Sequence, residues 1–132
     1  MAATAPRTLR EAAQDAAPAA LRAFFRIADA WRLTNDDARI LLGAPPSSTF
    51  YKWKSGQVGT VSGDVLERVS YVLGIYKALQ ILLPEPAAAD AWVRRPNDAA
   101  PFGGQPALAR MLSGNVADLY RLREYLDAER GA

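Results

Sequence analysis

The segment from Gly63 to Leu83 constrains the fold more than any other. Val65, Leu66, Val69, Val72, Leu73, Tyr76, Leu79 and Leu82 or Leu83 recur at steps of three and four, the spacing of one helix face. Ile75 and Ile81 fall outside that stripe, so this helix is expected to pack on more than one side. Pro84 stops it, because proline lacks the N–H and clashes with the preceding turn. A buried helix of this length is roughly 30 Å long, the width of a small domain. It needs other helices around it.

Shorter stretches with the same period supply them. Leu21, Phe24, Phe25, Ala28 and Trp31 predict a helix from Pro18 to Trp31, with Pro18 in its first turn. Arg22, Arg26 and Asp29 lie off that stripe. Thr34, with Asp37 three residues on, predicts the start of a second helix that buries Ala38, Leu41 and Leu42 and ends at Gly43. After Ala44-Pro45-Pro46, Ser47 or Ser48 is expected to cap a third, closed by Gly56. Beyond Pro84 the expectations are a short helix over Pro86–Val93 anchored by Trp92, another over Pro106–Leu112, and a last one capped by Asn115. That last helix carries Val116, Leu119, Leu122 and Leu126 on its buried side. The Ala-rich residues 1–17 are expected to form a flexible or partly helical tail, since a lone segment of that length is marginal in water. The expected fold class is all-α. A helix-turn-helix bundle (residues 18–62) is joined by a connecting helix (63–84) to a small helical C-terminal module (85–132).

Composition narrows the chemistry. The chain of 132 residues has no cysteine and no histidine. Disulfides, thiolate metal sites and a thiol nucleophile are excluded, and the commonest general base and neutral metal ligand are missing. No cofactor or metal site is expected. No stretch approaches the roughly 18 apolar residues of a membrane span. Arg7, Arg10, Glu11, Gln14 and Asp15 interrupt any signal-like run near the start, so the cytoplasm is the expected compartment. The net charge of +2 is uneven: residues 1–60 hold eight basic and five acidic groups, residues 61–132 eight and nine. The first half suits phosphate contact better than the second.

The segment from Leu33 to Gly56 concentrates that bias, since no acidic residue occurs between Ile40 and Ser62. Two short helices around a tight turn form a unit in which the first braces the second, and the second presents its start to base edges in a major groove. Ser47, Ser48 and Thr49 stand where such contacts begin, and Tyr51, Lys52 and Lys54 point outward while Phe50 and Trp53 turn to the core. These six are the candidate DNA-binding residues. A plain helical hairpin with solvated lysines gives the same periodicity. Arg39, where a small residue often lets the two helices approach, and the stiff Pro45-Pro46 depart from the usual pattern.

In the C-terminal half, the ordered set Trp92-Val93-Arg94-Arg95-Pro96-Asn97, Phe102-Gly103-Gly104-Gln105-Pro106-Ala107-Leu108, Leu112-Ser113-Gly114 and Leu119 to Leu126 resembles the toxin-binding domain of the Xre/MbcA/ParS antitoxin family. The resemblance extends over about residues 19–128, with Leu66 to Leu83 similar to that family's connecting helix. It implies an antitoxin that neutralises a RES-domain, NAD-using toxin by occluding its cleft and represses its own operon by binding operator DNA. It also implies a homodimer within a larger assembly. Arg94, Asn97, Tyr120, Arg123, Glu124, Asp127 and Arg130 are the candidate toxin-binding residues. From the residues alone, Trp92, Pro96, Phe102 and Leu108 serve equally to close a small core, and the charged face of the last helix is equally a solvated one. Arg123, on the apolar side of that helix, either snorkels or meets a partner's carboxylate.

Two other classes remain open on the sequence. Catalysis is not expected: Asp36-Asp37 and the Glu124–Asp127 pair have plain readings as helix-start charge and exposed surface, and no Gly-rich phosphate loop follows a strand. A free-standing helix-turn-helix regulator shares the N-terminal half and needs no toxin.

Overall fold

The computed structural model describes residues 8–131, and these form seven α-helices and one 3-10 turn with no strand among them. The helices are α1 (Leu9–Ala30), α2 (Asn35–Leu41), α3 (Ser47–Lys54), α4 (Gly63–Leu82), α5 (Pro86–Ala91), α6 (Ala107–Met111) and α7 (Val116–Gly131), and the turn is Trp92–Arg94. An isolated bridge pairs Pro96 with Pro106. None of the described helices is long and apolar enough to cross a membrane.

α4 is the axis of the molecule. The Ser62 hydroxyl accepts the Val65 N–H and caps its start. Val65, Val69, Val72, Ile75, Ala78 and Leu79 are buried, and the helix packs against α1, α5 and α7. Its apolar residues are spread around the axis because it has neighbours on more than one side. Of the two isoleucines outside the main stripe, Ile75 is fully buried, whereas Ile81 is 52% exposed near the C-terminal end. A single hydrophobic core runs from Ala17 and Leu21 of α1 through α4 to Leu119, Leu122 and Leu126 of α7.

The first helix differs from expectation. It starts at Leu9, nine residues before Pro18, and Pro18 lies in its interior. The first seven residues of the expected tail lie outside the described residues. The start is fixed by a capping box: the Thr8 hydroxyl accepts the Glu11 N–H at 3.0 Å, and the Glu11 carboxylate accepts the Thr8 N–H at 3.4 Å. An interior proline costs roughly 3 kcal/mol. Tertiary contacts offset it, because Ala17 is completely buried and Gln14 makes two hydrogen bonds to Val61. The Gln14 amide donates to the Val61 carbonyl at 2.5 Å, and its oxygen accepts the Val61 N–H at 2.9 Å.

Two smaller expectations are corrected. Neither Ser47 nor Ser48 caps α3: Pro46 holds the cap position and Ser47 is the first helical residue. The anchors of the α5 region are Ala89 and Val93, both fully buried, while Trp92 is half-buried with its ring edge-on to Phe102 at 5.8 Å. Asn115 stands immediately before the first residue of α7, and its carbonyl accepts the Asp118 N–H at 3.1 Å; the Ser113 hydroxyl supports this start by accepting the Asn115 N–H and donating to the Asp118 carboxylate at 2.6 Å.

Gln14→Ala removes both hydrogen bonds that tie α1 to Val61. We expect a loss of about 1–3 kcal/mol in urea unfolding; an unchanged midpoint would mean that the N-terminal half of α1 is not fastened there.

Candidate nucleic-acid and partner surfaces

The first surface is built on α2 and α3. The Thr34 hydroxyl accepts the Asp37 N–H and starts α2. Gly43 and Ala44, with φ of +87° and +57°, reverse the chain. Alanine is rarely found in that left-handed region, which indicates that the surroundings fix the turn. Arg39 contributes: its guanidinium donates to the Pro45 carbonyl at 3.0 Å. The arginine that departs from the usual pattern is thus the brace of the turn.

α3 is anchored by Phe50 and Trp53, which are 1% and 7% exposed. Phe50 meets the edge of Phe25 on α1 at 5.5 Å. Ser47, Ser48, Tyr51 and Lys52 are exposed on the opposite side, and Thr49 is half-buried. Lys54 is exposed but engaged, since its ammonium donates to Asn35 Oδ1 at 2.6 Å. No side chain caps the start of α3.

The second surface lies along the seam between α4 and α7. Tyr71, Gly74 and Lys77 follow one another along α4 and share concavities with Tyr120, Arg123, Glu124, Asp127 and Arg130 of α7. The Tyr71 and Tyr120 rings meet edge-on at 5.7 Å. Tyr71 donates its hydroxyl to Glu67 at 2.7 Å, and Tyr120 donates to Glu124 at 2.9 Å. Each carboxylate accepts the phenolic proton and holds that hydroxyl's pKa above the ordinary tyrosine value. Arg123 crosses the seam to donate to the Ser70 carbonyl at 3.3 Å and lies 3.7 Å from Asp127, which also faces Arg130 at 3.7 Å. Among the described residues, three concavities border this arginine, one of them, of about 390 Å³, shared with Ala13, Ala16 and Ala20 of α1. A second, of about 280 Å³, is lined by Tyr71, Tyr120, Arg123, Glu124 and Asp127. A third, of about 410 Å³, is lined by Gly74, Lys77, Arg123, Asp127, Arg130 and Gly131.

Five of the seven candidate toxin-binding residues therefore come together on α7. The other two do not join them. Arg94 donates to the Trp31 carbonyl at 2.8 Å and the Arg32 carbonyl at 2.6 Å, closing the C-terminal end of α1. Asn97 folds its own loop: its side-chain oxygen accepts the Ala99 N–H and its carbonyl accepts the Gly104 N–H. Sequence reasoning missed the α4 half of the seam. Gly74 is its clearest member, because a Cβ there would lie 2.5 Å from Arg123 Nε. The available signal was a glycine inside an otherwise strong helix, where it costs about 1 kcal/mol against alanine.

Comparison with known proteins gives two consecutive matches. Residues 10–74 match the antitoxin Xre-like helix-turn-helix domain, and residues 78–131 match the antitoxin Xre/MbcA/ParS C-terminal toxin-binding domain. The protein y4oB of Sinorhizobium fredii (strain NBRC 101917 / NGR234) is 56% identical over 114 residues, which cover 86% of this chain and 86% of that relative.

The tyrosine pairs give a direct check of the seam. In a spectrophotometric titration, Tyr71 and Tyr120 should ionise above the ordinary value of about 10, and Glu67→Gln and Glu124→Gln should each return one of them towards it. A folded pKa raised above the unfolded one stabilises below about pH 10, and that contribution is lost as pH rises through the folded value. Five tyrosines titrating as one group in the folded protein would contradict the geometry.

Proposed function

Because the chain belongs to the Xre/MbcA/ParS antitoxin family, with a helix-turn-helix domain followed by a toxin-binding domain, we propose that it neutralises a RES-domain, NAD-using toxin by covering that enzyme's cleft, and represses its own operon through α3. The observation that carries this reading is the presence of two separate exposed faces on one continuous core. α3 presents Ser47, Ser48, Tyr51 and Lys52 on one, and the α4–α7 seam presents Tyr120, Arg123, Glu124, Asp127 and Arg130 on the other.

At the operator, the start of α3 enters the major groove with Ser47, Ser48 and Thr49 nearest the base edges. The uncapped amides of its first turn and the Lys52 ammonium hold phosphates. Lys54 steadies α3 against Asn35 and reaches the backbone only by giving up that bond. At the toxin, Tyr120 offers an aromatic anchor that is 49% exposed, ringed by charges that set the register. Arg94 and Asn97 contribute by shaping the module. The chain makes no bonds of its own; it acts by occupying space, in the cytoplasm, as a homodimer within a larger toxin–antitoxin assembly.

The test is co-expression with a RES-domain protein encoded beside this chain. Growth rescue and a stable complex support the reading. A protein that ignores such a neighbour yet binds its own promoter is a free-standing regulator. Lys52→Glu should weaken promoter binding at least several-fold and lower the slope of log affinity against log salt by about one; an unchanged slope removes Lys52 from the interface. Arg123→Glu should shorten the lifetime of the toxin complex while far-UV circular dichroism stays the same. An unchanged lifetime places Arg123 outside the contact.

A further inference from the structure

Arg68 is the one buried charged residue among the described residues, and three segments meet at its side chain. Its Nε donates to Asp64 Oδ2 at 3.0 Å, one turn earlier on α4. Its Nη2 donates to the Gly114 carbonyl at 3.0 Å, in the turn that leads from α6 to α7. Gly43, at the start of the α2–α3 turn, lies directly over the ion pair: a Cβ there would be 2.9 Å from Asp64 Oδ2 and 3.0 Å from Arg68 Nε. The turn that aims α3 and the turn that starts α7 therefore rest on the same guanidinium, from opposite ends of the sequence.

We propose that Arg68 is a positioning residue for nucleic-acid recognition: it sets α3 through Gly43 and makes that setting depend on the C-terminal module through Gly114. The proposal rests on the DNA-binding reading above. Physical chemistry supports a strict geometry here. A buried guanidinium is held by its partners, because an unpaired charge in that position is costly. Its planar fork fixes the direction of each bond, which a lysine does not reproduce. Displacing Gly114 thus moves or frees the group that Gly43 packs against. With φ of +87° at both glycines, neither turn accommodates a Cβ without strain. The DNA-reading end is in this sense completed by residues of the toxin-binding end, and a partner seated on the start of α7 acts on the α2–α3 turn as well.

The test uses the full-length chain and a labelled duplex spanning its own promoter, at a temperature where each variant is more than about 95% folded. Under that condition a mere loss of global stability changes apparent affinity by less than about a tenth. Arg68→Met should weaken binding at least tenfold, and Arg68→Lys less. Gly114→Ala should weaken binding in the parent chain and add nothing in the Arg68→Met background, as groups acting in series do. In hydrogen exchange, Arg68→Met should expose the amides of Gly43 and Ala44 together with those of Ser113 and Asn115. Parent-like affinity in Arg68→Met, additive effects with Gly114→Ala, or exposure confined to one turn would overturn the proposal. If the parent chain does not bind the duplex, the nucleic-acid reading fails and the exchange pattern alone decides whether the two turns are linked.

Discussion

The structure depends on α4 being buried on more than one side. A helix that is apolar around most of its circumference has no stable place on a surface. It forces α1 onto one flank and α7 onto another, and the remaining short elements fill the ends. Much of the apolar burial that stabilises a chain of this size comes from those two contacts. The consequence is a shared core: Val69, Val72 and Ile75 are buried in the one cluster that also holds the apolar residues of α1 and α7. The helix-turn-helix domain and the C-terminal domain are thus parts of one packed unit.

What was legible in the sequence follows from that packing. Long periodic stripes were readable because burial repeats every three or four residues, so α4, α7 and the later half of α1 appear directly in the spacing. Helix starts were readable where a side chain makes the cap, as at Thr34. They were misread where two signals compete. Pro18 is a strong mark for a helix start, yet Thr8 and Glu11 carry the box that begins α1. A proline's local preference yields when the residues around it are fastened elsewhere, here Gln14 to Val61 and Ala17 in the core. The serines before Phe50 mislead in the same way, since Pro46 already supplies the extended backbone that a cap needs.

The site was legible only in part, for a reason that lies in arginine itself. Arg39, Arg68 and Arg94 each donate to backbone carbonyls at segment ends: the α2–α3 turn, the α6–α7 turn and the end of α1. Arg123 also donates to a carbonyl, that of Ser70, but it does so across an open seam and remains 38% exposed. Nothing in residue type or spacing separates these roles. A long side chain with five donors closes carbonyls left over at helix ends as readily as it meets a partner's carboxylate, and only the fold decides which carbonyl lies within reach. Gly74 belongs to the same problem, because its meaning is set by an arginine almost fifty residues away.

This division of the arginines bears on how a chain with a net charge of only +2 presents two exposed faces of different character. A hydrogen bond to a neutral carbonyl leaves the guanidinium charge in place but fixes where it sits: Arg39 and Arg94 hold theirs at segment ends, and Arg68 pairs its own with the Asp64 carboxylate. On α3, Lys52 and the helix start are left, with no acid in the segment to oppose them. On the α4–α7 seam, cations and carboxylates alternate around two tyrosines, giving a face without strong net charge. A basic helix start suits the uniform charge of a nucleic-acid backbone, and a mixed aromatic seam suits one protein surface in one orientation. On the proposed reading the two faces serve different partners, and one shared core lies beneath both.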